Sequence, residues 1–161
     1  MTRSFILEKH YKDEETGYEC LILILPLGYR TGYVKLPVKL VTALATASVP
    51  LLTSINTYDA FCTVWGGVSY AGGCPIGSIE GFTESDVLIG FDCAHYGDMA
   101  SQELADLFDN SHPFRVANIF KEGEVRSCEF VQAELANLCK GVKSMLENID
   151  NSVKFLVERE E

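Results

Sequence analysis

Val87-Leu-Ile-Gly-Phe-Asp-Cys-Ala-His-Tyr-Gly-Asp98 is an apolar run that ends abruptly in Asp92, Cys93, His95 and Asp98. Its first half, Val87 to Asp92, predicts a buried strand. A strand that stops in a cluster of ionisable side chains is where α/β and α+β proteins tend to place a site. The stretch therefore marks both a central structural element and a location for function.

Upstream, Phe5 to Tyr11 reads as a short strand, the charged Lys12 to Gly17 as a turn, and Tyr18 to Leu25 as the returning strand. The near-continuous apolarity of that second strand predicts burial on both faces. Gly28 to Pro37 reads as a loop leading into an extended segment. Val38 to Ser48, rich in Ala and Leu, predicts a helix closed at Val49-Pro50, because the residue before a proline avoids helical backbone. Leu51 to Tyr70 is β-branched and aromatic and predicts one or two strands, interrupted or ended by Trp65-Gly-Gly-Val-Ser-Tyr70. Ala71 to Phe82 is loop.

Downstream, Ser101 to Phe108 predicts a short helix with Ser101 as N-cap and Glu103 in its first turn; Asn110 to Pro113 breaks it. Ser127 to Ile149 predicts one long helix. Val131, Leu135, Leu138, Val142, Met145 and Ile149 recur at helical spacing on one face and read as the stripe that packs across a sheet. The tail from Asp150 either extends that helix or frays. Strands and helices alternate irregularly, and no repeat or linker divides the chain. The expectation is one α+β domain over residues 1–161, a mostly antiparallel sheet packed against a long C-terminal helix.

With 161 residues, the chain is long enough to bury a real core. Its formal net charge of −10 argues against direct binding of a phosphate backbone, which calls for a basic face. Such a charge serves solubility, and it also suits a surface that competes with nucleic acid for a basic partner. None of the 6 cysteines pairs at C-x-x-C spacing, so neither a zinc ribbon nor a thioredoxin-type centre is indicated, and no metal or cofactor is expected. The N-terminus has no long apolar segment, and the longest apolar run, Cys20 to Leu25, is too short to span a membrane. A cytoplasmic protein with free thiols, away from membranes, is the expectation.

Two constellations carry chemistry. Asp92, His95 and Asp98 are three apart, and on a helical turn such residues project to one side. A histidine between two carboxylates can act as a general base, one carboxylate fixing its tautomer and the other holding substrate or water. The plainer alternative is that Asp92 caps the following turn and His95 bridges two segments. In Trp65-Gly66-Gly67-Val68-Ser69-Tyr70, paired glycines let backbone approach a ligand, Ser69 and Tyr70 offer hydroxyls, and Trp65 or Tyr70 offers a ring for stacking. Its alternative is a β-bulge or hairpin corner with a core tryptophan. Cys93 reads as a buried core thiol, or as a nucleophile if a positive neighbour lowers its pKa. His10 and His112 have no evident partners. Arg30, Lys35 and Arg115 are candidates to meet an anionic ligand.

Taken together, these segments resemble a family of small proteins of tailed bacteriophages. That family pairs a His-Gly-Gly-(Leu/Ile)-(Ser/Thr)-(Tyr/Phe) segment with a Gly-Phe-Asp-(Cys/Thr)-Ala-His segment and a C-terminal helix rich in Glu and Leu. Gly90, Phe91, Asp92, Cys93, Ala94 and His95 match the second segment, and Gly66, Gly67, Ser69 and Tyr70 match the first. Trp65 stands where the pattern has histidine. That change removes a candidate catalytic group and keeps a planar one, which favours binding over catalysis. A phage origin implies counter-defence, by analogy of source.

The leading expectation is a homo-oligomeric phage protein that captures a polar planar molecule such as a nucleotide-derived immune signal. Trp65, Gly66, Gly67, Ser69, Tyr70, Asp92 and His95 would hold it. The alternatives are a hydrolase or lyase acting on a nucleotide-like substrate, with His95 as base and Asp92 or Asp98 as its partner, and an acidic inhibitor of a host protein.

Overall fold

The computed structural model of the chain describes residues 5–45, 64–77, 79–108 and 123–160, with backbone alone at 45 and 151–160. Within them are five strands, β1 (Ile6–Lys12), β2 (Glu19–Ile24), β3 (Arg30–Lys35), β4 (Tyr70–Gly72) and β5 (Leu88–Asp92), and three helices, α1 (Val38–Ala45), α2 (Gln102–Ala105) and α3 (Cys128–Glu160). The strands form one sheet in the order β1-β2-β3-β5-β4, antiparallel at every junction. The α+β architecture expected from the sequence is present. Most of the strand predicted within Leu51 to Tyr70 lies outside the described residues, as do the end of the helix predicted to Ser48, the break at Asn110 to Pro113, and Cys62, His112 and Arg115.

The sheet has two unlike faces because side chains alternate along each strand. Cys20, Ile22, Val34, Ile89 and Phe91 point to one face, where α1 contributes Leu40 and Leu44 and α3 contributes Val131, Leu135, Leu138, Cys139, Val142 and Met145. The predicted α3 stripe is this core, with Ile149 at its partly buried end. Ser127 caps α3 by accepting from the Phe130 N–H at 3.1 Å, and Ser101 caps α2 by accepting from the Leu104 N–H at 3.2 Å. At the centre of this core the Cys20 and Cys139 thiols share a hydrogen bond at 3.6 Å and form no disulfide. No described helix is long and apolar enough to cross a membrane.

The other face carries Leu21, Leu23, Tyr33 and Leu88, covered by Phe82 and flanked by Ile76, Ile79 and Cys74 from the β4–β5 connection. Two rows cross this face. In one, Tyr70 and Tyr33 flank Gly90 from either side; in the next, Thr31 pairs with Asp92. Gly90 is required there, since a Cβ would lie 2.4 Å from Tyr33 Cδ1 and 2.5 Å from the Gly32 carbonyl oxygen. The tyrosine rings meet edge to face, with centroids 5.2 Å apart. A bulge between Leu7 and Lys9 sets Glu8 out of register, and the Arg30 guanidinium grips it through Nε–Oε1 at 2.7 Å and Nη2–Oε2 at 3.0 Å. That hydrogen-bonded pair holds Glu8 below the ordinary carboxylate range.

Because α3 supplies one wall of the core, Leu135→Ala should lower unfolding free energy by about 2–5 kcal/mol. Urea denaturation should show a lower midpoint with an unchanged slope.

Candidate functional site

Asp98 is the anchor around which the site is built. Its side chain is 0% exposed, and three donors from three segments reach it. Trp65 Nε1–H donates to Oδ2 at 2.9 Å, the His95 backbone N–H donates to the same oxygen at 3.0 Å, and Arg126 Nε donates to Oδ1 at 2.7 Å. Backbone bonds from Met99 N–H to the Glu124 carbonyl and from Glu124 N–H to the Gly97 carbonyl stitch the same segments together. Arg126 lies over the indole, its guanidinium carbon 4.6 Å from the ring centroid, and Phe130 meets the indole edge-on. The Trp65 backbone N–H donates to Glu134 of α3 at 3.1 Å.

This knot sets the double-glycine bend directly behind His95. Gly66 has φ +69°, and a Cβ there would lie 2.2 Å from His95 Nε2, so glycine is needed both for the turn and for the approach of the ring. His95 Nε2 sits 3.3 Å from Asp92 Oδ1, off the line of a hydrogen bond. Asp92 Oδ1 also accepts the Ala94 N–H at 3.0 Å, which caps the turn after β5, and Oδ2 accepts Ser69 Oγ–H at 3.3 Å. The Ser69 N–H in turn donates to the Gly90 carbonyl, fixing the bend against β5.

Above the Asp92–Thr31 row is a cleft of about 500 Å³. Ser69, Tyr70, Asp92 and His95 line it, together with Phe5, Leu25, Leu27, Tyr29, Thr31, Tyr33, Phe91 and Ala94. The structure thus brings four of the sequence-predicted residues to one cavity. Trp65, Gly66, Gly67 and Asp98 do not line it. Gly66 passes against the His95 ring, Asp98 accepts the His95 backbone N–H and is itself held by Trp65, and the indole face predicted for stacking is occupied by Arg126. With three donors already on it, Asp98 acts as a structural carboxylate; it orients the His95 backbone, not the imidazole.

Of the candidate cations, Arg30 is held by Glu8, and Lys35 is bonded to the Gly81 carbonyl beside Glu19 and Asp86; neither lines the cleft. His10 has a neighbour after all, Glu19 at 3.4 Å. Cys93 is buried, and burial, reinforced by Asp98 and Asp92, pushes its thiol up to about 12, so it stays protonated at neutral pH. Burial also raises Tyr33 and Tyr70, which keeps both phenols as donors.

Tyr29, Thr31 and Tyr33 also line the cleft and are not among the residues the sequence singles out. Their signal was the alternation Tyr29-Arg-Thr31-Gly-Tyr33, which sets hydroxyl-bearing residues on one face of a strand. Thr31 is 4% exposed, and its Oγ1 has no hydrogen-bond partner among the described residues. A second cleft, of about 630 Å³, lies between β1 and α3 and is lined by Lys9, Tyr11, Lys12 and Gln132 among others; it holds none of the predicted site residues. Among the described residues no cluster of three candidate metal ligands occurs. No protein-family model matches the chain, nor does any curated protein or solved structure.

Removing the Asp98 carboxylate strands Arg126 and the indole N–H, so Asp98→Ala should cost about 3–5 kcal/mol. Trp65 is the single tryptophan, so its emission should shift to the red in the folded variant as the knot loosens. Thr31→Val, which deletes a buried unpaired hydroxyl and keeps the shape, should instead stabilise the protein by about 1 kcal/mol. A calorimetric scan should then show a melting temperature raised by roughly 2–4 °C.

Proposed function

We propose that the chain captures a small, polar, planar molecule in the cleft above Asp92 and Thr31. The single observation that carries this reading is the lining of that cleft. Tyr29, Tyr33 and Tyr70 bring aromatic surface, and Asp92 is held in place by Ala94 and Ser69 with acceptor capacity left over. Nucleosides and nucleotides combine a planar ring with hydroxyl and amino donors, which is the chemistry such a lining complements; a carboxylate recognises ribose hydroxyls well. In its narrower form, set by the resemblance to small phage proteins, the captured molecule is a nucleotide-derived defence signal. The protein would then act in the host cytoplasm as a homo-oligomer.

Capture is favoured over turnover by the order of the polar groups. Ser69 donates to Asp92, and His95 Nε2 faces the same carboxylate, so the carboxylate lies between hydroxyl and imidazole. An activated serine needs the imidazole in the middle. A hydrolase or lyase using His95 as base would have to work through Nδ1, because Nε2 is buried.

Thermal melting of the full chain with nucleosides and nucleotides tests the reading. A true ligand at about a hundred times its Kd should raise the melting temperature by roughly 5–10 °C. His95→Ala should abolish the shift, and the ligand should be recovered chemically unchanged after denaturation. Conversion of the ligand would favour the enzyme, and no shift with any of these compounds would defeat the proposal.

A further inference from the structure

We infer that the cleft takes an uncharged, ring-bearing molecule with hydroxyl or amino donors, a nucleoside-like ligand, and discriminates against its phosphorylated forms. The inference rests on the reading of this cleft as a ligand site, keeps its nucleoside form and sets aside its nucleotide form.

The first observation is the charge facing the cavity. Among the described residues lining it, Asp92 is the carboxylate, His95 is the titratable base, and no lysine or arginine is present. Two described arginines of the neighbouring segments are committed elsewhere. Arg30 is bound in a two-point pair to Glu8, and Arg126 is divided between Asp98 and Glu124. A phosphate entering here would meet a carboxylate without a described guanidinium or ammonium to offset it, in a chain of net charge −10. The His95 nitrogen nearest Asp92 is buried and faces that carboxylate, so it is not turned towards an incoming anion.

The second observation is independent of charge. Thr31, more than nine-tenths buried in the cleft floor opposite Asp92, carries a hydroxyl that meets no strict hydrogen-bond geometry among the described residues and whose interacting neighbour is the Tyr33 phenol. Buried polar groups are seldom left without a full partner, and a water, an ion or a ligand can complete them. The Tyr33 phenol, with Thr31 behind it, and Asp92 together set a hydroxyl that can donate or accept beside a carboxylate that only accepts. A pair of hydroxyls, or an exocyclic amine beside a ring nitrogen, matches that pattern; a phosphate oxygen, itself an acceptor, does not.

Isothermal titration of the full chain with adenosine, guanosine, cytidine and uridine, and with each 5′-monophosphate at the same ionic strength, tests the inference. At least one nucleoside should bind, with its monophosphate weaker by about tenfold or more. Asp92→Asn, which can still cap Ala94, should narrow that gap. Thr31→Val should weaken the nucleoside several-fold without lowering the melting temperature, separating lost recognition from lost folding. A monophosphate that binds as tightly as its nucleoside, or more tightly, overturns the inference and leaves the cleft as a ligand site. A gap unchanged in Asp92→Asn also overturns it, since its stated cause would be absent. Silence from every nucleoside and every monophosphate overturns both this inference and the reading beneath it.

Discussion

A buried carboxylate is the constraint from which the rest of the site follows. Moving the Asp98 charge out of water costs several kcal/mol unless donors surround it, and an aspartate with no exposed side-chain surface has no solvent to fall back on. Its donors come from Trp65, His95 and Arg126, positions far apart in sequence. Satisfying one charge therefore fixes three segments relative to each other. Once the indole is tied to Asp98, the following glycine must pass behind the imidazole, and only a residue without Cβ can do so. The location of His95 at the rim of the cleft is thus a consequence of electrostatics several ångströms away.

The sheet adds a second constraint, of shape. Its α3 face is covered along its length by a continuous apolar stripe, whereas among the described residues the opposite face receives Phe82 and its neighbours. The uncovered end of that face is where Thr31 and Asp92 pair. Gly90 makes the neighbouring row concave, since it is a gap in a row of side chains into which Tyr33 leans and against which Tyr70 packs edge-on. An aromatic cleft with a polar floor results from one missing side chain and one short cover.

How much of this could be read beforehand depends on the range of the interactions. The α3 stripe was legible because helical spacing is a local signal, and so were the caps at Ser101 and Ser127. The joint presence of Ser69, Tyr70, Asp92 and His95 at one cavity was legible from two short segments. Tyr29, Thr31 and Tyr33 were not, because their face becomes a cleft only after β5 inserts between β3 and β4, a non-local pairing that no window of sequence contains. The place of Asp98 is hidden from the sequence for a related reason. Its three-residue spacing from His95 is real, but the carboxylate takes the backbone N–H, and Arg126 arrives from a part of the chain with no pattern to announce it.

The polar groups in the cleft also separate holding from reacting. Activation of a hydroxyl requires a base at that hydroxyl, whereas Ser69 is turned towards a carboxylate that already caps a turn and neighbours an imidazole. Asp92 is therefore restrained from several sides, a condition that preserves its orientation and suits recognition, which gains when a group need not be ordered on binding. The same restraint works against proton transfer through the buried His95 nitrogen. The proposed ligand, an uncharged ring bearing donors, is what a locked acceptor, an adjoining buried threonine hydroxyl and a described lining without strong cations would complement. On those grounds affinity here should follow the ligand's hydroxyl and amino groups more closely than its charge.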